Sequence, residues 1–199
     1  MARQPKHSQF EWFDDAKRAV DALKRGGVVL HATDTVWGLA CDATQDEAVN
    51  KLNALKQRHP VHPVLTLMAD DGMIQRHVPS IPDVAWELMD ETDRPTTIIY
   101  PEARGVSSQL LGSNGSLAVR RVNDPFCEFL IRGLGKPVAS TSANLTGHPT
   151  PTCFADVPSE LREGVDYVSE HRSKEGPGSG KPSMMVAFDG HGRFTLIRS

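Results

Sequence analysis

Apolar positions along this chain switch between two periods. Within 11–24, Ala16, Ala19, Val20 and Leu23 fall at i, i+3, i+4 and i+7, the spacing of one helix face. Gly26-Gly27 stops that pattern, and Val28-Val29-Leu30-His31-Ala32 follows as a short run, β-branched at its start, that predicts a buried strand. Thr44-Gln45-Asp46-Glu47 carries a capping-box pattern and predicts a second helix with Ala48, Leu52 and Leu55 on one face. A strand is predicted over 64–68, and Pro82 begins a helix carrying Val84, Ala85 and Leu88. Further strands are predicted over 96–100, 117–121 and 137–141. Asp124-Pro125 reads as a cap followed by a first-turn proline, with Phe126, Phe129 and Leu130 along one face behind it. Two apolar runs, 184–188 and 194–198, flank the hairpin-like turn Asp189-Gly190-His191-Gly192. Helices between strands, closed by a hairpin, predict an α/β fold with a mixed sheet. The Gly-, Pro- and Ser-rich segment 173–182 predicts a mobile loop.

Composition narrows the class. The chain of 199 residues fits a single domain, 1–199, with 1–10 as an N-terminal extension. Hydrophobic residues make up 39% and charged residues 24%, a globular balance able to bury a core without staples. A formal net charge of -3 gives no global basic field for nucleic acid, although a local basic face is compatible with it. The three cysteines, Cys41, Cys127 and Cys153, are widely spaced without a C-x-x-C, which argues against a disulfide framework or zinc ribbon and fits a reducing cytosol. No secretory leader is legible after Met1, and no apolar run is long enough to cross a bilayer. A cytoplasmic protein without a membrane partner is expected.

Several polar segments stand where a plain core would be apolar. Thr33-Asp34-Thr35 follows the first strand, where ligands of α/β sheets tend to bind, and Gly38 permits close backbone approach. Its hydroxyls and carboxylate either satisfy turn amides or surround a substrate carboxylate or amine. Lys56 and Arg58 end a helix. They either complement its dipole or clamp a polyphosphate, Arg as a planar fork and Lys as a point charge. Ser140-Thr141-Ser142-Ala143-Asn144 follows another strand, as a locally bonded turn or as a site for phosphate or sugar. Ser116 and Arg120, four apart on one predicted strand, face one side of the sheet, where a buried Arg needs an anionic partner, either a structural carboxylate or a ligand. Gly176-Pro177-Gly178-Ser179-Gly180-Lys181 fails as a P-loop, because Glu175 replaces the first Gly and Pro182 replaces Ser or Thr and removes an amide. His59 and His62 lack an acidic or Cys partner nearby in sequence, so no metal site is predicted.

Together, in order and over 16–198, these segments resemble the YrdC-like threonylcarbamoyl-AMP synthase family. His31-Ala32-Thr33-Asp34-Thr35-Val36-Trp37-Gly38-Leu39 is similar to the family's Pro-Thr-Asp/Glu-Thr-Val-Tyr-Gly-Leu segment, and Lys56-Gln57-Arg58 to its Lys-x-Arg. Ser116-Leu117-Ala118-Val119-Arg120 resembles its strand ending in Arg, and residues 140–147 resemble its Ser-Thr-Ser-Ala-Asn-x-Ser/Thr-Gly. Pro182-Ser183 before an apolar strand, and Ile197-Arg198, resemble its closing segments. The resemblance implies a YrdC-like twisted mixed β-sheet with flanking helices around a deep cavity. It implies a nucleotidyltransferase that joins L-threonine, bicarbonate and ATP into threonylcarbamoyl-AMP and pyrophosphate, with Mg²⁺ travelling with ATP. The product would pass to threonylcarbamoyl-transferase proteins for tRNA modification.

By the same resemblance, Lys56 and Arg58 hold phosphates and stabilise the transition state. Thr33, Thr35, Arg120, Ser140 and Ser183 orient threonine, and His62, Ser116, Ser142, Asn144 and Arg198 line the nucleotide side. The sequence departs from the family's pattern at Ala32, Trp37, His59, His62, Leu67 and Met184; the last two are expected to take polar contacts out of the pocket. The alternatives are a YciO-like paralogue, whose strand Thr66-Leu67-Met68 resembles, and a binder of tRNA or double-stranded RNA without this activity.

Overall fold

The computed structural model describes residues 11–57, 64–92, 94–176, 180–189 and 193–199. The elements in order are α1 (Phe13–Lys24), β1 (Val29–Ala32), β2 (Trp37–Asp42), α2 (Asp46–Leu55), β3 (Leu65–Met68), α3 (Asp71–His77), α4 (Asp83–Glu91), β4 (Thr96–Tyr100), β5 (Leu117–Arg121), α5 (Pro125–Leu134), β6 (Val138–Ser142), α6 (Ser159–Gly164), β7 (Tyr167–Val168), β8 (Met184–Phe188) and β9 (Phe194–Arg198). Among the described residues one sheet of nine strands runs β7-β1-β2-β6-β3-β5-β4-β8-β9. It is mixed: β1/β7, β3/β5 and β4/β8 are parallel and the other pairs antiparallel. This is the α/β class that the alternating periods predict.

The helices form for the reasons their sequences carry. The apolar stripe of α1 is fully buried and packs on α5, with Trp12 edge-on to Phe126 and Phe129 at 5.6 and 5.9 Å between centroids. That approach is close: a Cβ added at Gly133 would lie 2.8 Å from Val20. Asp124 caps α5 by accepting from the Cys127 amide at 2.9 Å, with Pro125 in the first turn as the sequence predicts. Fully buried Leu23, Leu30, Leu39, Leu52, Met68, Ile98, Tyr100 and Phe126 anchor the core, each worth roughly 1.5–3 kcal/mol for a large apolar side chain.

The capping box at Thr44 does not form. Gln45 is the cap of α2 and makes no side-chain cap bond. The fully buried Asp42 carboxylate takes the Thr44 amide at 2.8 Å and the Thr44 hydroxyl at 2.7 Å, along with Gln45 and the Lys136 ammonium. A buried charge must be satisfied before an exposed helix end. Burial pushes the Asp42 carboxyl upward, but bonds from Thr44 and Lys136 outweigh that and hold it below the usual range. Within 173–182, residues 177–179 lie outside the described residues; the Ser173 hydroxyl donates to the Glu170 carbonyl at 2.7 Å. Gly190, His191 and Gly192 of the expected hairpin turn and residues 1–10 also lie outside them, while β8 and β9 pair antiparallel as predicted.

Candidate functional site

A cavity of about 230 Å³ opens at strand ends and gathers Thr33, Thr35, Arg120, Ser140, Ser142, Ser183 and Arg198. Thr33 follows β1, Ser140 and Ser142 lie on β6, Arg120 on β5, and Arg198 on β9. Strands from nearly opposite ends of the sheet order therefore meet at one small space, so the sheet curls around it. Gly38 on β2 makes room: a Cβ there would lie 3.3 Å from both the Ser140 hydroxyl and the Thr141 carbonyl oxygen.

The turn at 33–36 is wired by its own hydroxyls. Thr33 Oγ1 donates to the Val36 carbonyl at 2.7 Å and accepts the amides of Thr35 and Val36, each at 3.1 Å. Its single hydrogen is thereby used, so in the 2.9 Å contact between the two hydroxyls Thr35 Oγ1 is the donor. Arg120 Nη1 donates to Thr35 Oγ1 at 3.1 Å, completing a relay from guanidinium to hydroxyl to hydroxyl to carbonyl. Thr33 is thus saturated, whereas Thr35 Oγ1 keeps one acceptor lone pair, suited to an N–H donor rather than a carboxylate.

Arg120 is 3% exposed and pairs with Asp34 through Nη2 at 2.9 Å, and its buried Nε–H has no partner among the described residues. Across the cavity Arg198 donates to the Ser183 carbonyl from Nε at 3.1 Å and Nη2 at 2.9 Å. Burial, and then the charge of Arg120, hold the Arg198 pKa below its ordinary value. Asp34 neutralises only one of the two guanidinium groups, and the cavity lining carries no carboxylate, so the space favours an anion. Ser183 Oγ also bonds Thr97 Oγ1 at 2.7 Å.

Lys56 lies beside this cavity and not in its lining. It is 3% exposed at the end of α2, and its ammonium donates to the Ser142 carbonyl at 2.7 Å and to the carbonyl of Asn144. Gln57 has φ +49, a left-handed conformation directly after Lys56. Arg58 and His62 lie outside the described residues. Asn144 turns its amide to the carbonyls of Leu145 and His148 at 3.0 and 2.8 Å.

Two expectations are corrected. Ser116 is not on the strand with Arg120: β5 begins at Leu117, and Ser116 accepts the Gly112 amide at 2.8 Å in the preceding turn. Four residues of extended chain separate it from Arg120 by about 13 Å, and it is absent from the cavity lining. Leu67 and Met184, expected to take polar contacts out of the pocket, do not line it. Leu67 is core, 1% exposed, and Leu65 and Met185 line the pocket instead. Alternation explains the second shift, because Ser183 and Met185 share a face that Met184 does not. Val36, Thr150 and Pro182 also line the cavity without having been singled out from the sequence; Val36 and Pro182 sit inside segments that signalled a site, and Thr150 does not.

Behind the turn, His31 is 1% exposed on β1 and donates from Nδ1 to the Ala32 carbonyl at 2.9 Å. Its Nε2 has no partner among the described residues, and burial holds the ring neutral, with its pKa lowered to about 4.

The model of the Sua5/YciO/YrdC family, described as telomere recombination, matches residues 21–199. The chain belongs to this family. Sua5/YciO/YrdC relatives with similar sequences include the threonylcarbamoyl-AMP synthase of Pseudoalteromonas translucida, 36% identical over 153 residues that cover 75% of this chain and 81% of the relative. That of Photobacterium profundum is 34% identical, covering 79% of this chain and 86% of the relative. Among solved structures, P. abyssi Sua5 complexed with L-threonine has a TM-score of 0.84 at 23% identity over 96% of this chain. The match spans 55% of that Sua5 chain. E. coli YciO has a TM-score of 0.79 at 22% identity, covering 92% of this chain and 88% of its own. These structures share the mixed sheet and flanking helices. Among the described residues no helix is long and apolar enough to cross a membrane.

Proposed function

We propose that this chain is an L-threonylcarbamoyl-adenylate synthase. L-Threonine and bicarbonate condense to a carbamate with loss of water, and a carbamate oxygen attacks the α-phosphorus of ATP to give threonylcarbamoyl-AMP and pyrophosphate. The observation that carries the reading is the carboxylate-free cavity in which Arg198 and the tethered Arg120 converge with the hydroxyls of Ser140, Ser142 and Ser183. The named relatives support the same reaction.

In this reading the amino-acid carboxylate takes Arg120, and the free lone pair of Thr35 Oγ1 accepts a hydrogen bond from the amine or carbamate N–H. Thr33 holds the turn, and Ser140 and Ser183 complete the amino-acid side. Arg198 and Ser142 lie toward the nucleotide, with Asn144, His62 and Ser116 assigned by resemblance. Lys56 and Arg58 neutralise the phosphates; Lys56 does so from a position fixed by the carbonyls of Ser142 and Asn144. The step needs alignment and charge neutralisation, and no nucleophilic side chain. Mg²⁺ belongs to the nucleotide substrate, held by phosphate and water, since the cavity lining offers cations and hydroxyls. The proposed setting is the cytoplasm, where threonylcarbamoyl-transferase proteins would take the product to tRNA.

The test is pyrophosphate release with each substrate omitted in turn, and the product mass. Release only with threonine, bicarbonate and MgATP together, and its loss in Lys56→Ala/Arg58→Ala, are expected. Release that ignores threonine or bicarbonate overturns the reading.

A further inference from the structure

Arg172 belongs to none of the polar segments that signal the site, yet its guanidinium reaches the centre of one. Nη1 donates to the Thr33 carbonyl at 3.1 Å and lies 3.2 Å from the Asp124 carboxylate; Nε is 3.9 Å from Glu175. Asp124 is 3% exposed and caps α5. One side chain thus ties the end of β1, the start of α5 and the segment after β7.

Its backbone makes the placement informative. Arg172 has φ +59, a left-handed conformation in which glycine is at ease and a residue with a Cβ is strained. The surrounding structure over-determines it. The buried Asp15 of α1 accepts the Tyr167 and Ser169 hydroxyls, both at 2.6 Å, and the Glu170 and His171 amides at 3.2 and 3.0 Å. That hub fixes the stretch immediately before Arg172 and aims its side chain at Thr33.

The 33–36 turn has open space on two sides. Thr33, Thr35 and Val36 line the 230 Å³ cavity, and the same three line a second cavity of about 150 Å³ whose far wall includes Thr152, Arg172 and Glu175. Close packing limits backbone movement only where atoms touch, so across the second cavity the Arg172 bond takes that part. Rotation of the Thr33 peptide would carry the hydroxyl relay with it and move the free lone pair of Thr35.

We propose that Arg172 is a positioning residue that fixes the Thr33 peptide and, through it, the Thr35 hydroxyl that meets the amino-acid substrate. Its kinetic consequence rests on the function proposed above; its structural consequence does not. Two variants test it. Arg172→Gly suits the left-handed backbone and removes the side chain, and Arg172→Lys keeps a cation near Asp124 on a stem one atom shorter, which falls short of the position Nη1 shares between Thr33 and Asp124. In the ligand-free protein, hydrogen exchange at residues 34–37 is expected to accelerate about tenfold in both, with β6 unchanged. In the pyrophosphate assay KM for threonine rises about five- to tenfold, while kcat and KM for ATP stay within about twofold. Should Arg172→Gly fail to fold, Arg172→Lys decides alone.

Unchanged exchange at 34–37 overturns the inference, as does an equal rise in both KM values. So does a lysine variant that preserves both exchange and KM, because a point charge beside Asp124 would then suffice. A parent protein that releases no pyrophosphate sinks the proposed function, and the exchange measurement still decides the role of Arg172.

Discussion

The cavity that holds Arg120 has a volume of about 230 Å³, and a neighbouring one, lined by Asp34, Asp70, Asp71, Asp90, Arg94 and Arg121, about 790 Å³. Strand β5 supplies an arginine to each, Arg120 and Arg121, adjacent in sequence and therefore on opposite faces. Their surroundings differ. Arg121 is paired with Asp71 at 2.7 Å and with Asp90, and donates to the Met89 carbonyl at 3.2 Å. In the smaller cavity Arg198 bonds, among the described residues, only oxygens of Ser183, and feels the repulsion of Arg120. The larger space is lined by four carboxylates and two guanidinium groups, with Asp34 and Asp70 paired to Arg120 and Arg132 from outside it, while the smaller retains a positive charge that an anion can answer. Volume alone would have chosen the acidic one.

The sharpest way to break this contrast is Arg120→Ala. It strands the Asp34 carboxylate and removes a cation from the smaller cavity, so we expect a stability loss of about 3–5 kcal/mol and at least about a hundredfold fall in kcat/KM, measured by urea unfolding and the pyrophosphate assay. If activity survives, the smaller cavity is not the amino-acid site.

Acid gives the next largest effect. His31 stands two residues before Thr33, and its pKa is lowered to about 4 from 6.5 by burial, with the Arg120 and His171 charges in the same direction and Asp124 opposing. Below pH 6.5 the unfolded chain binds a proton that the folded chain refuses until about pH 4. Stability is therefore full above the unfolded value and falls as the pH drops through this window, by roughly 3 kcal/mol at 1.36 kcal/mol per unit. His31→Leu should flatten most of that slope in urea midpoints between pH 7 and pH 4.5; an unaltered slope would locate the protonation elsewhere.

The smallest effect belongs to the larger cavity. Arg121→Ala removes partly exposed ion pairs, so we expect a loss of about 1 kcal/mol or less with kcat/KM within about twofold. A deficit comparable to that of Arg120→Ala would erase the distinction between the two spaces.

Much of this was legible in the sequence because it is local. The pattern gave β8 and β9, the cap of α5 and the buried stripe of α1, since each needs only a period and a turn signal. Strand β2 went unread: Trp37-Gly38-Leu39-Ala40-Cys41-Asp42 is buried on both faces, and its polar neighbours drew the eye to chemistry instead of pairing. Helix α3 is seven residues long, and Asp70-Asp71-Gly72 looks like a turn until Asp70 is seen accepting the Met73 amide. At the site, order in the chain pointed to Thr33, Arg120, Ser140 and Arg198. It could not separate Leu65 from Leu67 or Met185 from Met184, because strand register decides those. Arg172 carried no signal, since its role comes from a backbone conformation and a partner 139 positions away.

The curling of the sheet has a consequence for synthesis. A pocket whose walls run from Thr33 to Arg198 is an intensely non-local object. As the ribosome extrudes the chain, β1, β2 and β6 can pair and bury apolar surface, yet the pocket stays open on one side until β9 has emerged and docked on β8. The nascent protein can therefore acquire much of its shape before it can hold its substrates.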